Sequence, residues 1–444
     1  MRIFKDKTLS RILSALLIAA LIIGMDQALG YLLEPVTYGN AFFTRDIREL
    51  EKSGTNADVV FIGTSRTQRT FAPEVFEDEW GLNCVINAGS SAQPISGTYY
   101  LLKDLIERMH PDRVYIGITI DRLNQGEDGL KWRLSALDRL SPKNKLLMVL
   151  NCFSPKEAVY FFKTYRYNDQ FSLEQIKTNL AEKAEFRQTG SIAGKDLLDH
   201  YAGKGFFCNY TSGALPIEGK CSFSADDISP DKLKWLDACV ELCKKNNIDV
   251  ALVTGITSVM RMYLCEGYQE ANDYYKNYAG KNGIKYYNLN YMKDRETLIP
   301  DEFMLDYKHC NGNGALVASR FFADVIKKEE AGEDISRYFY ANLDEFKKSV
   351  KRIVAVDAEI QPDEERENTL HISITSLQND DVLPLYRVSL CDCGTEEYYT
   401  AQDWTSESEL EIEIGNAAGY TIKIEAAAED PSYGTASQVY TYEK

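Results

Sequence analysis

Asp58-Val59-Val60-Phe61-Ile62-Gly63-Thr64-Ser65-Arg66-Thr67-Gln68-Arg69 is the stretch whose reading decides the fold. Val59 to Ile62 is an unbroken β-branched and aromatic run, the pattern of a strand buried on both faces in a parallel sheet. It stops at three small residues, Gly63-Thr64-Ser65. A small-residue turn at the carboxyl end of a buried strand is where open α/β folds place their ligand sites. Pro73 then suits the first turn of a helix. A serine on this turn is exposed, and its N–H faces the same pocket.

Working outward, Asn83 to Ile86 reads as a second strand running into Asn87-Ala88-Gly89-Ser90-Ser91. Helical periodicity follows from Ser96 to Met109, with Tyr100, Leu101, Leu105 and Ile106 on one face, and Arg113 to Thr119 reads as a third strand. Such alternation implies a parallel sheet with right-handed crossovers. It breaks at about 122–230, an insertion rich in Tyr, Phe, Lys and Asn. The insertion's Tyr160, Phe161, Phe162, Tyr165 and Tyr167 could stack on sugar rings or form its own core. The alternation resumes with a helix from Pro230 to Asn246, a strand from Asp249 to Thr254, a Tyr-rich helix from Tyr268 to Tyr278 and a strand from Ile284 to Leu289. Asp306-Tyr307-Lys308-His309 precedes a last helix, Ala315 to Lys328, and 329–348 is a charged connector.

Both ends differ from this core. The basic start carries Arg2, Lys5, Lys7 and Arg11, and Ile12 to Met25 is almost uninterruptedly apolar, with Ala28 to Leu33 continuing after Asp26-Gln27. A cleaved signal peptide and a retained anchor both fit. The lack of a small-x-small cleavage site favours an anchor over 1–35, with the basic residues inside and the rest of the chain outside the membrane. From Arg352 onward the period becomes two, and about seven short strands over 349–444 predict an immunoglobulin-like β-sandwich. The division expected is therefore an anchor at 1–35, an α/β domain at 36–348 and a β domain at 349–444.

The chain of 444 residues is 44% hydrophobic and 26% charged, ordinary for a globular protein. Its net charge of −17 argues against nucleic acid as a partner. Residues 351–444 carry 20 Asp and Glu against 6 Lys and Arg, so most of that charge lies in the β domain. Ten cysteines suit an exported chain, although their pairing cannot be read. Cys391 and Cys393 would share one face of a strand. With no Cys-x-x-Cys pair, structural zinc is not expected, and the reading requires no metal or cofactor.

A serine nucleophile needs a base, and histidine is the usual one. Of His110, His200, His309 and His371, only His309 lies in a loop after the last core strand, three residues beyond an aspartate. In that spacing Asp306 could bond Nδ1–H while Nε2 faces Ser65.

Gly63-Thr64-Ser65-Arg66, Asn87-Ala88-Gly89 and Asp306-x-x-His309 together resemble the SGNH (GDSL-like) hydrolase superfamily, over roughly 58–328 without the insertion. The resemblance implies a flavodoxin-like α/β/α sandwich, Ser65 as nucleophile, His309 as base and Asp306 as orienting acid. It also implies the N–H groups of Ser65 and Gly89 as oxyanion donors. The family's third block, Gly-x-Asn-Asp, is not met, because Gly117-Ile118-Thr119-Ile120-Asp121 stands there. Thr119, Asn124 or Gln93 would have to replace the missing amide, or the hole is weaker. Arg66, Gln68 and Arg69 beside the serine could bind an anionic substrate or merely pack. An anchored domain of this type is similar to the accessory proteins of alginate O-acetylation and teichoic-acid D-alanylation. That likeness implies a multispanning membrane O-acyltransferase as partner and a cell-surface polysaccharide as substrate, with esterase or transferase chemistry on its O-acyl groups. A non-catalytic glycan-binding or scaffold subunit of an export complex is the alternative.

Overall fold

The computed structural model describes residues 2–36, 38–124, 126, 128–189, 200–213, 221–392, 395, 397–429 and 434–443. In chain order the helices α1 (Arg2–Leu33) and α2 (Tyr38–Ser53) come first. They are followed by β1 (Val59–Ile62), α3 (Ser65–Thr70), α4 (Pro73–Trp80), β2 (Val85–Asn87), α5 (Ile95–Met109) and β3 (Arg113–Ile118). The insertion contributes α6 (Leu130–Asp138), α7 (Pro142–Cys152), α8 (Lys163–Arg166), α9 (Leu173–Thr189) and the hairpin β4 (His200–Gly203) and β5 (Phe206–Cys208). The core resumes with α10 (Pro230–Lys245), β6 (Asp249–Thr254), α11 (Val259–Leu264), α12 (Tyr268–Lys281), β7 (Lys285–Asn288), α13 (Arg295–Leu298), α14 (Gly312–Glu330) and α15 (Leu343–Ser349).

The five core strands pair in the order β2-β1-β3-β6-β7, all parallel, with Val60 opposite Ile86 on one side and Val114 on the other. This is the flavodoxin-like order, whose switch point lies between β1 and β3. Alternate strand residues face opposite layers. Val60, Ile62, Val114, Ile116 and Leu252 join α5, α10 and α12 in one core. Val59, Phe61, Tyr115, Ala251 and Val253 join α4 and α14 in the other. Phe61 stacks on Phe71 at 4.3 Å and on Tyr115 at 5.0 Å. Burying each such ring contributes about 1.5–3 kcal/mol.

The insertion covers the β2 edge: Asn87 N–H donates to Lys204 O at 2.8 Å. Its far end is tied back by the disulfide Cys221–Cys265, a pairing that residue spacing did not reveal.

Among the described residues seven strands follow: β8 (Ala355–Pro362), β9 (Thr369–Leu377), β10 (Pro384–Asp392), β11 (Tyr399–Thr405), β12 (Glu409–Glu413), β13 (Gly419–Ala428) and β14 (Thr435–Glu443). They form two antiparallel sheets, β12-β9-β8 and β11-β10-β13-β14, around a core that includes Leu370, Ile372, Val388, Leu390, Ile422 and Ile424. In the constant-type immunoglobulin arrangement the fourth strand pairs beside the fifth. Here β11 instead pairs with β10. The expected pairing of faces at Cys391 and Cys393 falls partly outside the described residues, since Cys393 is not among them.

Within α1, Leu9–Leu33 is long and apolar enough to cross a membrane, and it is almost wholly exposed. Its last turns, however, touch the insertion. Asp26 accepts hydrogen bonds from the N–H groups of Lys163 and Thr164 at 3.1 and 2.9 Å. Asn179 Nδ2 donates to Leu33 O at 2.7 Å.

Candidate active site

Ser65 opens α3, directly after the β1 turn. A helix does begin at Pro73, as α4, but the short helix α3 before it was not expected. Ser65-Arg66-Thr67-Gln68-Arg69-Thr70 has no apolar period, but Gln68 N–H reaches Thr64 O at 3.0 Å and closes a turn. Close packing makes that turn possible. A Cβ on Gly89 would lie 2.5 Å from Gln68 N and 2.9 Å from Thr64 O, so only glycine fits there.

His309 comes from the loop before α14. The Asp306 carboxylate accepts the N–H groups of Lys308 and His309 at 2.6 and 2.9 Å, which folds the loop back on itself. His309 Nδ1 lies 2.8 Å from Asp306 Oδ2, and Nε2 lies 2.8 Å from Ser65 Oγ. A carboxylate can only accept, so Nδ1 carries the proton and Nε2 accepts the serine hydroxyl. Burial pulls the His309 pKa below its ordinary value, opposed by Asp306 and reinforced by Arg69 and Arg66. Burial would raise Asp306, but His309 and the two N–H bonds outweigh it and hold the carboxyl below its usual range. The imidazole is therefore neutral and basic near pH 7. The α14 helix is fixed to α3 through Ser319, whose hydroxyl donates to Thr70 O at 3.0 Å and accepts Ala72 N–H at 2.9 Å.

The other histidines lie elsewhere: His110 ends α5, His200 starts β4, and His371 sits in the β domain 2.9 Å from Asp363. Asp363, His371 and Glu411 have the composition of a cation site, the one such group among the described residues. Arg366 already pairs with both carboxylates at 2.7 Å.

The two expected oxyanion donors are in different states. Ser65 N–H makes no hydrogen bond among the described residues. Gly89 N–H instead donates to Asn87 Oδ1 at 3.0 Å, so it is engaged in this conformation. Each of the three proposed substitutes already makes a hydrogen bond, although the amides of Gln93 and Asn124 each keep a second N–H. Gln93 holds Ser90, Thr98 and Arg139, the Thr119 hydroxyl donates to Asp121, and Asn124 Nδ2 donates to Ser222 O.

Two scaffold residues escaped the sequence reading. Asn87, fully buried, donates to Thr67 O, Gln68 O and Phe71 O while accepting Gly89 N–H, which locks β2 to α3. Arg139, from α6, donates to Ala88 O and Gln93 Oε1 at 3.0 and 2.9 Å. Asn87 was quoted only as part of a motif, and Arg139 lies 50 residues from the loop that it supports.

A cleft of about 740 Å³ is lined by Gln68 and Arg69 of α3, by Ser90 and Ser91 and, from the insertion, by Trp132, Tyr160 and Tyr167; Ser65, His309 and Asp306 are not in its lining. Of the five insertion aromatics, Tyr160 and Tyr167 line this cleft, Phe161 packs on the α/β core and Tyr165 is exposed. Arg69 is in the cleft wall, whereas Arg66 is buried and turns toward Asp121.

A Ser–His–Asp constellation at the carboxyl ends of a flavodoxin-like sheet defines the class: an α/β protein with a serine triad. No protein-family model and no curated protein matches the chain. Among solved structures it is similar to a candidate acylhydrolase from Bacteroides fragilis, with 13% identity and a TM-score of 0.31 over 67% of this chain and 99% of that one. It is also similar to a GDSL-like lipase from Bacteroides thetaiotaomicron, with 14% identity and a TM-score of 0.29 over 66% of this chain and 100% of the other.

Proposed function

We propose that this chain is a serine-dependent acyltransferase or esterase that acts, outside the cytoplasm, on O-acyl groups of a cell-surface polysaccharide. The single observation that carries the chemistry is the continuous hydrogen-bonded path from Ser65 Oγ through His309 to Asp306.

Ser65 Oγ attacks the acyl carbonyl carbon as its proton passes to His309 Nε2, and the carbonyl π pair moves onto oxygen. Ser65 N–H stabilises that oxyanion, and Asp306 stabilises the imidazolium. Collapse expels the sugar oxygen, which takes the proton from Nε2 and leaves acyl-Ser65. Water or a second sugar hydroxyl then gives its proton to Nε2 and attacks the acyl carbon, and the serine is restored. The Trp132, Tyr160 and Tyr167 rings suit the stacking of a sugar in the cleft. Helix α1 would hold the domain at the membrane beside a multispanning O-acyltransferase, a partner suggested by family resemblance.

A second reading is a non-catalytic glycan-binding or scaffold subunit. It is favoured by the engaged Gly89 N–H, because losing one oxyanion donor costs about 10²–10³ in rate. Labelling with a fluorophosphonate separates the two. The catalytic reading expects label on the wild type and none on Ser65→Ala; an unlabelled wild type favours the scaffold.

A further inference from the structure

One cluster next to Ser65 plays no part in that acyl transfer. Arg66 Nη2 lies 4.0 Å from Asp121 Oδ1, just beyond β3, and Arg261 of α11 brings its Nη2 to 3.5 Å from Asp121 Oδ2. Both arginines are buried, at 6% and 4% exposure. Asp121 Oδ1 also accepts the Thr119 hydroxyl at 2.9 Å. Arg261 further faces the Tyr307 ring at 5.6 Å. Among the described residues neither guanidinium donates a hydrogen bond, although each carries five N–H donors.

Arg66 and Arg261 outweigh the effect of burial on Asp121 and hold its carboxyl below the ordinary range, so it is ionised. Burial, and then Arg261, pull Arg66 down to about 10, which still leaves it protonated at neutral pH. Arg66 and Arg261 thus face Asp121, and Asp306 also acts on Arg66, yet among the described residues their N–H groups have no hydrogen-bond partner, which is costly for groups placed this deeply unless something completes them. Paired planar guanidinium groups match carboxylate and phosphate oxygens geometrically. The cluster sits at the fork between β1 and β3, where this strand order places ligands. It is also close enough to the triad for Arg66 to act electrostatically on His309 and Asp306.

We propose that Arg66 and Arg261 form an anion subsite that holds a carboxylate or phosphate group of the substrate whose ester Ser65 attacks. The subsite rests on the reading of Ser65 as nucleophile for its place in the reaction, but not for its ability to bind.

Two measurements test it. The first needs no turnover: the full chain carrying Ser65→Ala is titrated calorimetrically with inorganic phosphate and, separately, with acetate. The expected result is saturable binding of one or both, weakened about ten-fold or more by Arg261→Gln and less by Arg261→Lys, in variants whose melting temperature confirms folding. Absence of binding to either anion, or binding indifferent to Arg261→Gln, overturns the subsite. The relative strength of the two arms distinguishes a phosphate from a carboxylate ligand. The second compares kcat/KM for 4-nitrophenyl hemisuccinate and 4-nitrophenyl acetate. Arg261→Gln is expected to lower the ratio of anionic to neutral ester about ten-fold, and an equal fall for both esters overturns substrate recognition. Failure of the wild type to turn over either ester would sink the nucleophile reading alone, because the phosphate titration stands apart from it.

Discussion

Ser65 Oγ and His309 Nε2 lie 2.8 Å apart although 244 residues separate them in the chain. Neither is placed by a mobile side-chain choice. Ser65 is carried by a turn packed under Gly89, and His309 by a loop that Asp306 cinches and α14 anchors to α3. Removing either partner should leave the fold intact and abolish the nucleophile. Ser65→Ala and His309→Ala are each expected to lower kcat/KM for an aryl acetate by at least about 10³-fold. Wild-type rates in either variant, at an unchanged melting temperature, would remove the triad from the mechanism.

The pH profile follows from the His309 environment. Its pKa is lowered, chiefly by burial. The neutral, basic form therefore persists as pH falls, and the acid limb of kcat/KM should lie below the ordinary histidine value of about 6.5. Activity is full above that limb and lost as pH falls through it. The Asp306 carboxylate raises this pKa, so Asp306→Asn should shift the limb further toward acid while cutting kcat. An acid limb above about 6.5 in the wild type would contradict the assignment.

Much of this site is written in local residue order, and the rest is not. The run Val59–Ile62, the small-residue turn and the Asp306/His309 spacing are short-range signals. Each depends on a few neighbouring residues, and each corresponds to an element that the fold contains. Helix α3 escaped because six polar residues have no period to detect. The engaged state of Gly89 N–H, the supporting role of Arg139 and the meeting of Arg66 and Arg261 at Asp121 arise only when segments far apart in the chain come together. No spacing rule reports such a meeting. The position of β11 was hidden for a similar reason: alternation marks a strand but does not choose between two sheets.

Asn87 should matter more for stability than a polar residue usually does. Its amide serves three α3-side carbonyls and its oxygen serves Gly89 N–H, with the side chain fully buried. Truncation leaves several buried groups unpaired, at about 1–3 kcal/mol for each one that finds no substitute. Asn87→Ala is thus expected to destabilise the chain by about 2–4 kcal/mol, read as a lowered urea midpoint. Asn87→Asp should be no better, since a carboxylate cannot donate to the carbonyls. A loss under about 0.5 kcal/mol, the range of ordinary surface substitutions, would mean that the network is dispensable.

Asp26 lies in the apolar helix α1, where a carboxylate is costly unless it has partners. Helix α8 supplies them. Its own N-cap position, Phe162, offers no side-chain cap. Asp26 takes over that task by accepting the N–H groups of Lys163 and Thr164 and the Thr164 hydroxyl. The carbonyls at the far end of α1 are served in turn by Asn179, and by Lys183 through Tyr31 O and Glu34 O. Such bonds satisfy the orphan groups that every helix end leaves. Gly30 lets the two backbones approach, since a Cβ there would overlap the Lys163 side chain. These bonds join α1 to the insertion that also walls the cleft; with α1 in a membrane, as proposed above, they would set the domain's orientation as well as tether it. Asp26→Ala should weaken this joint by about 2 kcal/mol, the order expected for hydrogen bonds to a charged acceptor. With local opening that is roughly 30-fold faster amide exchange at Lys163 and Thr164, measured by hydrogen exchange on the full chain in detergent micelles. Gly30→Leu should produce the same change by steric displacement, while exchange in β1 and β3 stays slow. If neither substitution accelerates exchange in α8, α1 is a tether and the orientation is set elsewhere.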